Sequence, residues 1–147
     1  MKNLDNITID AGNTALTTDG NAIYFNTSFY FEDVAAGDIL VYYLPSKAQG
    51  KITLKSDVMM IGAYAFYGCK DLKEVSAEKI YAVDTDAFKN SGIEKFTASD
   101  IMMIWDGAFK NCKNLGSFYY SKTFVYDDTL GEKPSEPEKK DDLVDSV

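Results

Sequence analysis

The chain has no histidine and no arginine; all 15 of its basic residues are lysines. Without histidine there is no side chain whose ordinary pKa lies near neutrality, so the commonest general base and a common metal ligand are both missing. Without arginine there is no bidentate fork for phosphates, carboxylates or guanine edges. A formal charge of -8 also opposes a polyanionic partner. DNA, RNA and anionic membrane surfaces are therefore poor candidates. No stretch approaches 18 uninterrupted apolar residues, so no transmembrane helix and no direct membrane insertion are expected. Cysteine is scarce too, with two in 147 residues.

What is present is a repeated phrase. It reads IGAYAFYGCKDLKEV from Ile61, VDTDAFKNSGIEKF from Val83 and IWDGAFKNCKNLGSF from Ile104. The Ala-Phe pair falls at Ala65-Phe66, Ala87-Phe88 and Ala108-Phe109, a period of 22 and then 21 residues. A period in the twenties is the signature of a solenoid whose unit is one strand and one turn or short helix. Each unit closes on a triplet with apolar residues two apart: Val75 and Ala77, Phe96 and Ala98, Phe118 and Tyr120. One unit back stand Ile52 and Leu54, and an isolated earlier copy, LDNITID, carries Ile7 and Ile9. Period-2 spacing sends both members of a pair to one face. A second apolar pair follows, three apart: Val58 and Ile61, Ile80 and Val83, Ile101 and Ile104. Single units cannot bury these positions, but stacked copies form a continuous core.

The pattern L-x-x-I-x-I … V-x-x-I-G-x-x-A-F-x-x-C-x-x-L resembles the BspA-like subclass of leucine-rich repeats, most closely over residues 52–69 and 72–115. Two further stretches are similar to segments of that family: ITIDAGNTALTTDGNAIYF from Ile7 and ILVYYLPSK from Ile39, so the resemblance spans roughly residues 4–126. Two departures stand out. Lys55 replaces the family's usual proline after the strand, and the middle repeat has Ser91-Gly92 where its neighbours have Cys-Lys-Asp or Cys-Lys-Asn. The resemblance implies an α/β repeat solenoid: a short right-handed leucine-rich-repeat-like array of about five rungs, with a parallel strand ladder and short helical turns at the Ala-Phe pairs. An antiparallel hairpin over about residues 22–43, within an insert at 20–45, is expected to interrupt it. It also implies a non-enzymatic protein-binding or adhesion module of a secreted or cell-surface bacterial or protist protein, with a host or cell-surface protein as partner. The alternative is a structural spacer that displays an appended domain. No catalytic, cofactor-binding or metal-binding residue carries over.

The remaining candidates read as structural. Cys69 and Cys112 hold the same repeat position two units apart, which puts their Cα atoms about 9–10 Å apart at strand spacing, beyond disulfide reach. Two buried thiols are expected instead. Asp84-Thr85-Asp86 reads as a cap on the second Ala-Phe helix rather than as a cation site. The pairs Asp127-Asp128 and Asp141-Asp142 lack the glycine-spaced companions of a calcium loop. Tyr42-Tyr43 and Tyr119-Tyr120 offer faces for sugars, but alternate strand tyrosines are more often half core and half surface.

Residues 1–130 are expected to form the repeat domain. From Gly131 the chain holds six acidic residues, three lysines, two prolines and no aromatic, a composition that cannot offset ordering entropy, so residues 131–147 read as a tail or linker. The strand triplet near residue 4 and the lack of an apolar leader point to a piece of a longer array; otherwise the hairpin is itself the cap. The candidate partner-binding face is the outward side of the ladder: Lys51, Thr53, Lys55, Glu74, Ser76, Glu78, Lys95, Thr97, Ser117 and Tyr119. Lys51, Lys55 and Lys95 are expected to form a positive strip across an otherwise acidic chain.

Overall fold

Parallel pairing between successive repeats organises the molecule. The computed structural model describes residues 4–27 and 37–120, with backbone alone at 100 and 117–120. Among the described residues eight strands build one sheet: β1 (Leu16–Thr18), β2 (Ala22–Asn26), β3 (Asp38–Tyr43), β4 (Gly50–Thr53), β5 (Val58–Ile61), β6 (Leu72–Val83), β7 (Lys95–Ile104) and β8 (Ser117–Tyr120). They wind a β-solenoid of about three turns. The triplet ladder runs in parallel through β4, β6, β7 and β8, with Ile52 opposite Val75, Val75 opposite Phe96 and Phe96 opposite Phe118. The second apolar pair of each repeat continues the same strands: Ile80 pairs with Ile101 and Val83 with Ile104. In the first repeat this second half is the separate strand β5. Inward positions repeat as the period requires, and Leu72, Val75, Ile80, Val83, Ile93 and Phe96 are all buried.

The aromatic stack at the Ala-Phe positions fills the core. Phe66 lies 4.9 Å from Phe88, and Phe88 lies 4.9 Å from Phe109, each pair nearly coplanar. Phe96 meets Phe88 and Phe109 edge-on, at 5.6 Å in both cases. These are the offset and T-shaped geometries favoured by the ring quadrupole. Tyr43 extends the stack by one rung, at 5.2 Å from Phe66. Its backbone follows suit: Tyr43 N donates to Ala65 O at 2.8 Å, as Phe66 N donates to Ala87 O and Phe88 N to Ala108 O at 2.7 Å.

The helical part of the expected α/β class is not found; among the described residues there is no helix. The Ala-Phe segments are turns, for two physical reasons. The amides of Phe66, Gly68, Phe88 and Asn90 donate across to the next rung, leaving none of them for a bond back along a helix. Two positions per turn also lie in the left-handed region. These are Tyr64, Asp86 and Gly107 just before the alanine, and Gly68, Asn90 and Asn111 just before the cysteine or serine, with φ between 56° and 74°. An α-helix cannot pass through such residues. The helix-cap role of Asp86 falls with the helix. Asp86 instead pairs with Lys89 at 3.5 Å, and Asp84 Oδ1 accepts from Thr85 N.

The N-terminal end also differs from the expected rung order. Residues 4–10 belong to no strand, and Ile7 and Ile9 are only half-buried, so they are not a fifth rung of the ladder. The hairpin forms as expected from antiparallel β2 and β3, but it opens the array instead of interrupting it. The far edge of β3 pairs in parallel with β5, so β3 is the first rung of the second-strand ladder. A third strand, β1, adds antiparallel to β2. The Asp19-Gly20 turn joins these two: Gly20 has a φ of 89°, and Asp19 Oδ1 accepts from Asn21 N and Ala22 N. Asp19 Oδ2 also takes the Tyr24 hydroxyl at 3.0 Å. Burial alone would raise the Asp19 carboxyl, but these hydrogen bonds outweigh it and hold its pKa below the usual range.

Cys69 and Cys112 are free and buried on separate rungs, as expected. The Cys112 thiol donates to Phe88 O at 2.9 Å and lies 3.5 Å from Ser91 Oγ, the serine that takes the cysteine place on the rung between. Burial pushes the Cys69 thiol up to about 12. It raises Cys112 as well, against hydrogen bonds from Ser91 and the charge of Lys70.

Two outcomes follow from this packing. Phe88→Ala removes the middle ring of the stack and should cost about 3–5 kcal/mol in chemical unfolding; a loss under about 1 kcal/mol would mean the stack is not a core element. Both thiols should resist a thiol reagent without denaturant at neutral pH. Because folding raises their pKa, the thiol form carries full stability below the unfolded value near 9, and that contribution is lost as pH climbs toward about 12. Cys69→Ala should flatten this alkaline decline.

Candidate functional site

The register places most of the anticipated face in two outward rows on the triplet ladder. Lys51 stands opposite Glu74, Glu74 opposite Lys95 and Lys95 opposite Ser117. Thr53, Ser76, Thr97 and Tyr119 form the second row. Ser117 and Tyr119 are placed here by backbone alone. Glu78 is exposed where the first half of β6 passes into the second, and its carbonyl accepts the Ser99 hydroxyl.

Electrostatically this face is not a positive strip. Glu74 Oε1 lies 3.4 Å from Lys51 Nζ and 3.6 Å from Lys95 Nζ, so one carboxylate serves both lysines. Lys55 turns toward the hairpin, where its ammonium lies 3.7 Å from Asp38 Oδ2 and 3.7 Å above the Tyr24 ring. It thereby pins the first rung to β2 and β3 through an ion pair and a cation–π contact. Burial raises the Asp38 carboxyl, with Asp57 adding to the shift and Lys55 opposing it. The triplet face is thus a mixed, largely self-compensated polar surface.

The second halves of the strands carry a surface that composition and spacing did not single out. Tyr81 on β6 and Met102 on β7 are neighbours in register between the Ile80–Ile101 and Ala82–Met103 pairs, and both are exposed, at 49% and 42%. Trp105 follows at the end of β7, 49% exposed, with its amide donating to Val83 O at 2.9 Å. Tyrosine, methionine and tryptophan are the side chains enriched at protein interfaces. The signal was in the sequence, since Tyr81 and Met102 alternate with the buried Ile80, Ala82 and Ile101. It was masked because the whole segment reads as apolar.

The tyrosine pairs divide as their strand positions require. Tyr43 is buried in the aromatic stack, whereas Tyr42 is only half-buried, and burial raises its hydroxyl pKa. Among the described residues no three histidine, cysteine or carboxylate side chains gather as a metal cluster, and no helix is long and apolar enough to cross a membrane. Asp127-Asp128, Asp141-Asp142 and residues 131–147 lie outside the described residues. A parallel strand ladder, a repeated aromatic stack and rungs offset by about 22 residues are the structural counterparts of the repeated phrase.

Comparison with known proteins agrees. A family profile described as BspA type leucine rich repeat region matches residues 41–128 in six copies. No curated protein and no solved structure matches the chain. The repeats that this profile describes build scaffolds suited to protein–protein interaction. With more than half its length matched, the chain belongs to the BspA-type leucine-rich repeat family.

Proposed function

We propose that the chain is a non-enzymatic protein-binding module of a secreted or cell-surface protein, adhesive in role, whose partner is a host or cell-surface protein. The observation that carries this reading is the exposure of Tyr81 and Met102, side by side on β6 and β7, with Trp105 exposed one residue beyond β7. The paired backbone beneath Tyr81 and Met102 is already ordered, so a partner need not supply the entropy of fixing it. The triplet halves of the same strands carry a polar surface, with Lys51, Thr53, Glu74, Ser76 and Lys95 in outward positions. The internal pairing of Glu74 with Lys51 and Lys95 lowers the electrostatic steering this surface can offer. Affinity should therefore rest mainly on the aromatic row and only modestly on salt.

The test is binding to immobilised extracellular-matrix extract and to cultured epithelial cells. Tyr81→Ala with Trp105→Ala should weaken binding about 10-fold to 100-fold, the usual effect of removing interface anchors. Reversing Lys51, Lys55 and Lys95 to glutamate should weaken it less and make it less sensitive to salt. No binding by the native module, with the fold intact, would favour the spacer that displays an appended domain.

A further inference from the structure

The middle repeat is one residue short, and that deficit opens a notch in the turn side of the solenoid. The flanking repeats read Cys69-Lys70-Asp71-Leu72 and Cys112-Lys113-Asn114-Leu115, whereas the middle one reads Ser91-Gly92-Ile93. To stay in register, the shorter loop is drawn in against its neighbour. Gly92 N donates to Cys69 O at 3.0 Å, and a Cβ at Gly92 would come within 2.0 Å of Lys70 O. Glycine is required there by close approach of backbone, and no side chain fills the space above it.

The resulting cavity is about 460 Å³ and is lined by Lys70, Lys113, Asn90, Asn111 and Asn114 together with Ser91 and Gly92. That volume falls within the ~300–1,000 Å³ of small-ligand sites. The two lysines stand one rung to either side of Gly92, so their backbones are about 10 Å apart at strand spacing. Five other lysines, Lys51, Lys55, Lys73, Lys89 and Lys95, are held in ion pairs. Lys70 and Lys113 form none among the described residues, and no carboxylate lines the notch. Lys47, Lys79 and Lys110 also lack an ion pair among the described residues, but Lys70 and Lys113 are the two that line one cavity together.

The asparagines are already ordered. Asn111 Nδ2 donates to Asn90 Oδ1 at 3.0 Å, and Asn90 Nδ2 donates to the Tyr67 hydroxyl at 3.4 Å. Each such amide can both donate and accept, and these few bonds leave capacity unused. Tyr67, whose hydroxyl ends this chain of bonds, is held in turn by an edge-on ring contact with Tyr64 at 5.7 Å.

We propose that this notch binds an acidic saccharide, one whose ring carries a carboxylate. The carboxylate sits between Lys70 and Lys113, and the side-chain amides of Asn90, Asn111 and Asn114 take adjacent hydroxyls. An acidic peptide would satisfy the lysines equally. Every lining residue, however, is polar or glycine, and three of them are asparagines whose side-chain amides can both donate to and accept from hydroxyls, which favours the hydroxyl-rich ligand. The site lies on a different surface from the Tyr81–Trp105 row and does not depend on the protein-binding reading.

Isothermal titration of the full chain with tetragalacturonic acid tests it, with the carboxyl-reduced neutral oligosaccharide and poly-glutamate as comparators. Measurable binding of the acid, weakened at least ~10-fold in Lys70→Gln and in Lys113→Gln and absent for the neutral sugar, is the expected result. A notch-filled chain, with Ser91→Cys, Gly92→Lys and an asparagine inserted after position 92, copies the neighbouring loops and should fold but not bind. Should it fail to fold, the lysine variants still decide. Tyr81→Ala with Trp105→Ala should leave sugar binding unchanged. No binding of the acid, equal binding of the neutral sugar, unchanged binding in both lysine variants, or tighter binding of poly-glutamate would each overturn the proposal.

Discussion

Hydrogen-bonded strands sit about 4.8 Å apart, close to the distance at which aromatic rings stack. The fold depends on that coincidence. Phe66, Phe88 and Phe109 repeat at 4.9 Å because the amides of Phe66 and Phe88 are each bonded to the carbonyl of the alanine one rung on. Ring stack and backbone ladder are thus one periodic structure, and neither can shift register without breaking the other. The alanine before each phenylalanine follows from the same constraint. It is fully buried or nearly so at Ala65, Ala87 and Ala108, where a larger side chain would push adjacent rungs apart.

This coupling explains why strands and rungs were legible in the sequence while the turns were not. The period-2 triplets and the 21–22-residue spacing report the ladder directly, and the Ile52, Val75, Phe96 and Phe118 register follows from them. The Ala-Phe segments look helical because their apolar residues are three or four apart. What excludes a helix is the pair of left-handed positions in every turn. Gly68, Asn90, Asn111, Asp86 and Gly107 are residue types that tolerate this conformation, but Tyr64 is not, and its presence at the first site hides the repeat of the feature. The rung at Tyr43 was hidden for a similar reason. Tyrosine replaces phenylalanine, no alanine precedes it, and the hairpin displaces the rest of the phrase. Ile7 and Ile9 erred in the other direction, since alternation alone cannot show that a partner strand is in reach.

The candidate face shows the same division at the level of charge. Sequence alternation identifies Lys51, Glu74 and Lys95 as outward residues, and the structure keeps them so. Their mutual neutralisation depends on three repeats meeting side by side, with Glu74 of the middle strand between lysines 44 residues apart. Lys55 is one residue beyond the paired triplet and follows the hairpin instead. A list of outward residues therefore overstates the free charge of a solenoid face. Lateral pairing between rungs is the default fate of opposite charges at matching repeat positions, and charges without such a partner carry more information.

By that criterion the irregular repeat is more informative than the regular ones. A solenoid repeats its interior because packing demands it, so a deletion that leaves the stack intact must be absorbed at the surface. Here Ile93 and Phe96 stay fully buried, and the whole deficit appears where Gly92 is drawn against Lys70 O. Between Lys70 and Lys113 the middle rung carries Gly92, which has no side chain to meet either of them. One missing residue thus yields a concavity with two lysines beside it that form no ion pair among the described residues, while the aromatic stack is kept. Restoring that residue should close the concavity while the ladder and core stay as they are.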